Sequence, residues 1–138
     1  MKAKVFFLSL IAFFALSLQA AVVDTIYVHS DAMNKDIQTI VISPGKGKTT
    51  APVIYLLHGH GGNAKTWISV KPNLLEIADQ YGIMFVCPDG KNSWYWDSPV
   101  DPSYRYETFV SKELIDYIDA SYPTIKNRTG RAITGLSM

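Results

Sequence analysis

The sequence predicts an α/β fold in which helices cover both faces of a central sheet, giving three layers with right-handed crossovers. Three short runs, 53–57, 83–87 and 132–134, are continuously apolar. Strands that are buried on both faces of a parallel sheet have this composition. Amphipathic helical patterns separate the runs. Because parallel strands need crossover connections, this alternation indicates successive strand-helix units.

The first 20 residues predict a secretory signal peptide. Lys2 and Lys4 precede an apolar run over 5–18, and Gln19 and Ala20 follow it. A positive start, a short apolar centre and a small-residue exit are typical of such a peptide. The alternative, a membrane-spanning helix, needs roughly 20 apolar residues. We therefore expect cleavage after Ala20, a secreted or periplasmic protein, and no stable membrane insertion after cleavage.

Two strands are predicted before the first continuously apolar run. Residues 24–29 and 37–42 are rich in Ile, Val, Thr and Tyr with partial alternation, which favours an antiparallel pair at a sheet edge. In the stretch 43–50, Pro, Gly and Lys alternate. We interpret this stretch as a hairpin or as a connection between strands.

Two helices are predicted between the apolar runs. Pro72 suits a first helical position, and Gly82 supplies a stop after Tyr81. The second helix begins near residue 106 and ends before Pro123. Its apolar residues form one stripe at helical spacing: Tyr106, Phe109, Val110, Leu114, Tyr117 and Ile118. The predicted order of elements is therefore β, β, β, α, β, α, β.

Composition excludes several classes of protein. The chain has 138 residues, of which 48% are hydrophobic and 18% charged, with one Cys and a formal net charge of +1. A disordered chain would be more polar, and a disulfide-stabilised miniprotein would have more Cys. The near-zero charge argues against a nucleic-acid partner. The single Cys87 lies in an apolar run, where we expect a buried, unreactive thiol.

A glycine-rich turn follows the first continuously apolar run. Residues 58–62 read HGHGG, and three glycines in four positions leave backbone N–H groups accessible. Accessible N–H groups are what an anion or oxyanion site requires. The turn neither continues as G-x-G-x-x-G nor ends in G-K-[ST], so a nucleotide site is poorly supported. A flexible loop without function is the alternative.

Two further segments follow predicted strands, where function gathers in an α/β sheet. The last run leads into Gly135, Leu136, Ser137 and Met138, the start of a nucleophile elbow that exposes a Ser hydroxyl. G-x-S-x is common by chance, but its place after a buried strand favours the elbow. The loop after Cys87 carries three consecutive aromatic residues, 94–96, which either contact substrate or cover the core.

These segments together resemble the esterase D family of α/β-hydrolases. That family includes S-formylglutathione hydrolases, secreted feruloyl and acetyl-xylan esterases, and mycolyltransferases. The matching blocks are VIYLLHGHGG at 53–62 with Trp67, VCPDG at 86–90, NSWY at 92–95, the helix around 106–114, and RAITGLSM at 131–138. The blocks occur in the right order, which is more specific than any one motif.

The resemblance implies an α/β-hydrolase sheet and assigns site residues. Ser137 would be the acyl nucleophile, and the backbone N–H groups of His60 and Met138 would form the oxyanion hole, with Gly61 a less favoured donor. His58 would be structural. The substrate-binding residues would include two aromatic side chains of the loop, Trp94 and Tyr95.

The implied function is a secreted serine esterase that hydrolyses carboxylic esters through an acyl-serine intermediate. Its substrate would be a small-molecule or polysaccharide-linked ester, with acyl groups of plant polysaccharides as one candidate. We expect no cofactor and no metal. A non-catalytic carbohydrate- or ligand-binding module and an acyltransferase of the same family are the alternatives. Acyl and alcohol specificity and the oligomeric state stay open.

The catalytic triad is incomplete in these residues. α/β-Hydrolases order their triad as Ser, acid, His, but only Met138 follows Ser137. His29, His58 and His60 all precede it. We therefore expect residues 21–138 to be the N-terminal half of a hydrolase domain, truncated after the strand that leads into the elbow. Alone, this fragment should be inactive and poorly soluble.

Overall fold

The computed structural model describes residues 20–45 and 50–138. The predicted signal peptide lies outside the described residues except for Ala20, and so does part of the stretch 43–50. Within the described ranges, no helix combines the length and apolar character needed to cross a membrane.

Five strands form one mixed sheet, as the predicted α/β class requires. In chain order the elements are β1 Val22–Ser30, β2 Lys35–Ser43, β3 Val53–Leu57, α1 Thr66–Val70, α2 Leu74–Tyr81, β4 Met84–Pro88, α3 Tyr106–Thr108, α4 Leu114–Ser121 and β5 Arg131–Gly135. A π-helical turn, Phe109–Glu113, joins α3 to α4. The strand order across the sheet is β1-β2-β4-β3-β5.

The strand directions follow from the two sequence patterns. The partly alternating strands β1 and β2 pair antiparallel at one edge, which confirms the predicted edge pair. The apolar strands β4 and β5 both pair parallel to β3. β2 meets β4 antiparallel, so β4 lies between β2 and β3. Residues 43–50 therefore belong to the link from β2 to β3, which are not neighbours in the sheet, so the stretch is a connection between strands and not a hairpin.

Side chains on the two faces of the sheet pack into separate clusters, which confirms the three layers. One cluster packs under α3 and α4 and includes Val41, Val53, Tyr55, Met84, Val86, Tyr106, Phe109, Leu114 and Ile118. The other packs under α2 and includes Ile40, Ile42, Leu56, Leu74, Ala78, Phe85 and Cys87. Successive residues of a strand point to opposite faces, so β4 supplies both clusters.

The buried thiol of Cys87 behaves as expected. Its side chain is almost fully buried in the cluster under α2, and this burial raises the pKa of the thiol to about 12. At neutral pH the group therefore stays a thiol, which is the unreactive form.

The helices differ from the sequence prediction in three places. α2 begins at Leu74 rather than at Pro72, although it ends as predicted at Gly82, which has φ +63°. Helix α1 was not predicted, because five residues are too few to show a helical period. The π-helical turn was not predicted either, because Val110 and Leu114, four residues apart, continue the apolar stripe at regular α-helical spacing.

The last strand, β5, is an exposed sheet edge in the described residues. β5 pairs only with β3 and forms the sheet edge, and the Ile133 side chain is 61% exposed. A groove of about 340 Å³ lies between β5 and the helical layer and is lined by Tyr55, Val110, Ile115 and Ile133 among others. Apolar character predicts a strand, but burial depends on neighbours elsewhere in the chain.

The short 3-10 turn Arg128–Gly130 before β5 is capped by Asn127. The Asn127 side-chain oxygen accepts hydrogen bonds from the Thr129 N–H at 3.0 Å, the Gly130 N–H at 3.2 Å and the Thr129 hydroxyl at 2.6 Å. The bond to the Thr129 N–H satisfies a backbone donor at the start of the turn, and the other two hold the Asn127 side chain in place.

We expect Asn127→Ala to lower the free energy of unfolding by about 1 kcal/mol, the usual cost of losing a capping side chain. Asn73→Ala is the matched control, because Asn73 caps α2 by position but makes no capping hydrogen bond with the described residues. Urea unfolding of the full-length protein measures the change in the free energy of unfolding for both variants. Equal losses in the two variants would contradict the capping role.

Candidate active site

The site lies where the three parallel strands end. The carboxyl ends of β4, β3 and β5 lie side by side at one edge of the sheet. The glycine-rich turn follows β3, the aromatic loop follows β4, and Ser137 follows β5. The fold therefore brings together the three segments that the sequence singled out.

The turn after β3 is built around the buried His58 ring, which is 1% exposed. Its Nδ1 lies 2.7 Å from the Gly59 carbonyl oxygen, and its Nε2 accepts the Gly90 N–H at 2.9 Å. A carbonyl only accepts and an N–H only donates, so these contacts require the neutral tautomer with the proton on Nδ1. Both ring nitrogens are occupied by backbone groups, which supports a structural role for His58.

The Gly59–His60 peptide is held in one orientation. Its carbonyl oxygen, on Gly59, accepts hydrogen bonds from the His58 ring and from the Gly62 N–H at 3.0 Å. In a trans peptide the N–H points opposite to the carbonyl. The His60 N–H therefore faces away from the His58 ring. The next N–H, on Gly61, donates to the Asn92 side-chain oxygen at 2.7 Å.

Ser137 occupies a strained backbone position. Its φ is +59°, in the left-handed region that residues other than glycine rarely adopt, and its side chain is exposed. Just before it, the Leu136 N–H donates to the Leu57 carbonyl at 3.1 Å, which extends the β3–β5 ladder to the turn. A sharp, strained strand end with an exposed hydroxyl is the geometry of a nucleophile elbow.

The glycine-rich turn and the elbow are in contact at Gly59. A methyl group added to Gly59 would lie 2.9 Å from the Leu136 carbonyl oxygen and 3.3 Å from the Ser137 Cβ. Only glycine permits so close an approach. The backbone N–H groups after Gly59 thus lie in the turn that touches Ser137.

The aromatic loop after β4 sends its side chains in different directions. Trp94 and Trp96 are 61% and 52% exposed, whereas Tyr95 is half-buried against the core. The Tyr95 hydroxyl accepts the His58 N–H at 2.9 Å and donates to the His58 carbonyl at 3.2 Å. Burial raises the pKa of the Tyr95 phenol well above its usual value, so the hydroxyl keeps its proton. Contact of Trp94 and Tyr95 with substrate stays a prediction.

Two of the three histidines, all of which lie in the described residues, bond to groups other than Ser137. His29 lies on β1, where its Nδ1 is 2.8 Å from an Asp36 carboxylate oxygen. The His58 ring bonds to Gly59 and Gly90, as above, and the His60 side chain is exposed. Neither His29 nor His58 is placed to accept a proton from Ser137.

The sequence did not reveal that Asn92 and Tyr95 form hydrogen bonds with the backbone of the glycine-rich turn. Their position in the sequence could have indicated this role. Both follow β4 at the same sheet edge as the turn, and Asn92 is of a type that commonly bonds to loop backbone.

Comparison with known proteins gives a consistent result. A family model described as "Putative esterase" matches residues 30–138. An acetyl esterase from Caldicellulosiruptor saccharolyticus is 34% identical over 85 residues, which are 62% of this chain and 31% of that protein.

Solved structures agree with the α/β-hydrolase sheet. A ferulic acid esterase is 28% identical with a TM-score of 0.73, over 86% of this chain and 49% of that one. An S-formylglutathione hydrolase from Agrobacterium tumefaciens shares the fold with a TM-score of 0.74 at 20% identity, over 84% and 49%. The chain thus spans half or less of the length of these relatives. The family match covers most of the sequence, and the chain belongs to the esterase family that the motifs indicated.

Proposed function

We propose that the protein containing this chain is a secreted serine esterase, of which residues 21–138 form the N-terminal half. The observation that carries this proposal is Ser137. It sits in a left-handed turn at the end of β5 and against Gly59 of the glycine-rich turn. An exposed hydroxyl beside accessible backbone N–H groups is the arrangement that acyl transfer requires.

The proposed reaction proceeds in two steps. The Ser137 Oγ forms a bond to the ester carbonyl carbon, and the N–H groups of His60 and Met138 stabilise the resulting oxyanion. The carbon–oxygen bond to the alcohol then breaks, which leaves an acyl-serine. Water attacks this intermediate and releases the acid. A histidine oriented by an acidic residue moves the protons, and we propose that sequence beyond Met138 supplies both.

The relatives support the proposed substrate class. An acetyl esterase and a ferulic acid esterase are among the similar proteins. We propose acetyl or hydroxycinnamoyl esters, either as small molecules or attached to plant polysaccharides. The exposed rings of Trp94 and Trp96 lie at the same sheet edge and offer apolar surface for such a group. The 138 residues alone, without the proton-transferring pair, are expected to be inactive.

A fluorophosphonate probe tests the nucleophile directly. The Ser137 oxygen should displace fluoride and form a bond to phosphorus, so that peptide mass spectrometry of the labelled full-length protein finds the adduct on Ser137. The Ser137→Ala variant should stay unlabelled. The control is Ser121→Ala, at an exposed serine at the end of α4, which should label as the parent does. Labelling at another residue, or of the Ser137→Ala variant, would refute the assignment of the nucleophile, and no labelling of the parent protein would favour a binding module.

A further inference from the structure

The loop after β4 holds the glycine-rich turn on both sides of the proposed oxyanion donor. On one side, the Tyr95 hydroxyl bonds both to the N–H and to the carbonyl of His58. On the other side, the Asn92 side-chain oxygen accepts the Gly61 N–H. The His60 N–H lies between these two anchored points. Its own orientation is set by the peptide geometry described above.

The conformation that places Tyr95 under the turn is strained. Trp94 and Tyr95 have φ values of +56° and +52°, in the left-handed region that residues other than glycine rarely adopt. The Tyr95 ring also packs directly on Gly90, where an added methyl group would lie 2.2 Å from a ring carbon. Strain of this kind persists only where surrounding contacts impose it. The contacts that hold Tyr95 here include its bonds to His58 and the bond from its own N–H to the Ser93 hydroxyl at 3.1 Å.

Asn92 also decides which N–H groups of the turn are available. With the Gly61 N–H donated to Asn92 and the Gly62 N–H donated to the Gly59 carbonyl, both are used within the protein. The His60 N–H is left facing outward from the turn. Asn92 thereby occupies the Gly61 N–H, the less favoured oxyanion donor, and leaves the His60 N–H, the favoured donor, available.

We propose that Tyr95 and Asn92 are positioning residues for oxyanion stabilisation, acting through the backbone on either side of the His60 N–H. The inference rests on the proposed esterase function. Neither side chain needs to touch the reacting atoms. Their effect comes from fixing a donor that must meet the oxyanion within hydrogen-bond distance, where removal of a single donor costs about 10² to 10³ in kcat.

Two substitutions in the full-length protein test this inference. Tyr95→Phe keeps the ring and removes both hydroxyl bonds, and Asn92→Ala frees the Gly61 N–H. We expect kcat for p-nitrophenyl acetate to fall about tenfold in the first variant and about threefold in the second, because the donor is displaced rather than removed. KM should change less than twofold. The matched controls are Tyr81→Phe at an exposed tyrosine of α2 and Asn73→Ala, which should retain the parent kcat.

A boronic acid inhibitor separates positioning from a merely structural role, because its tetrahedral adduct carries the oxyanion. Its affinity should fall by the same factor as kcat in each variant. Parent-like kcat in both variants, or a lower kcat with unchanged boronate affinity, would overturn the inference. If Tyr95→Phe does not fold, the exposed Asn92→Ala variant decides alone. Loss of Ser137 labelling in the parent protein would instead refute the esterase function.

Discussion

Replacing Ser137 with alanine is expected to lower kcat for p-nitrophenyl acetate by about 10⁴-fold or more in the full-length protein, because no other group can form the acyl intermediate. Stability should barely change. Alanine keeps the Cβ and therefore keeps the strain of the left-handed position at φ +59°. Steady-state kinetics and urea unfolding measure the two effects separately.

A second substitution at the same position sharpens this prediction. Ser137→Gly should be as inactive as Ser137→Ala, but it should raise the free energy of unfolding by about 1 kcal/mol, since glycine adopts positive φ without strain. Such a result would show that the protein tolerates the backbone strain at residue 137 in order to expose the serine hydroxyl. Retention of more than a hundredth of the parent kcat by either variant would contradict the assignment of the nucleophile.

The other large effect is expected at Gly59. In Gly59→Ala the new methyl group meets the Leu136 carbonyl oxygen at 2.9 Å, and backbone cannot yield there without moving the turn or the elbow. Displacements of about 1 Å at a reacting centre cost on the order of 10² in rate. We therefore expect kcat to fall about 10²-fold, with Ser137 still present and chemically intact.

Gly82→Ala provides the matched control for Gly59→Ala. Gly82 ends α2 at φ +63°, and an added methyl group there meets nothing within 4 Å. This variant should lose roughly 1 kcal/mol of stability through backbone strain and keep its kcat. Equal kcat values for the two variants would show that close contact between the turn and the elbow does not matter for the reaction.

The spacing of apolar residues was sufficient to predict the strands and helices in which that spacing is regular. The five apolar residues Val53–Leu57 are the strand β3 with the predicted bounds, and α2 ends at Gly82 as predicted. Each strand and the two longer helical segments appear in the predicted order, because burial of an apolar face leaves a periodic trace in the sequence. The short α1 and the π-helical turn leave no such trace, so they were missed.

The sequence by itself determined the fold class, the family and the segments of the candidate site, since each depends on residue types at fixed spacing. Only the tertiary structure decided the position of β4 between β2 and β3 and the contact of Gly59 with Ser137. It alone also showed Tyr95 and Asn92 bonded to the turn after β3. These residues lie 30 or more positions apart in the chain. Their contacts depend on which strands become neighbours, and spacing along the sequence does not encode that choice.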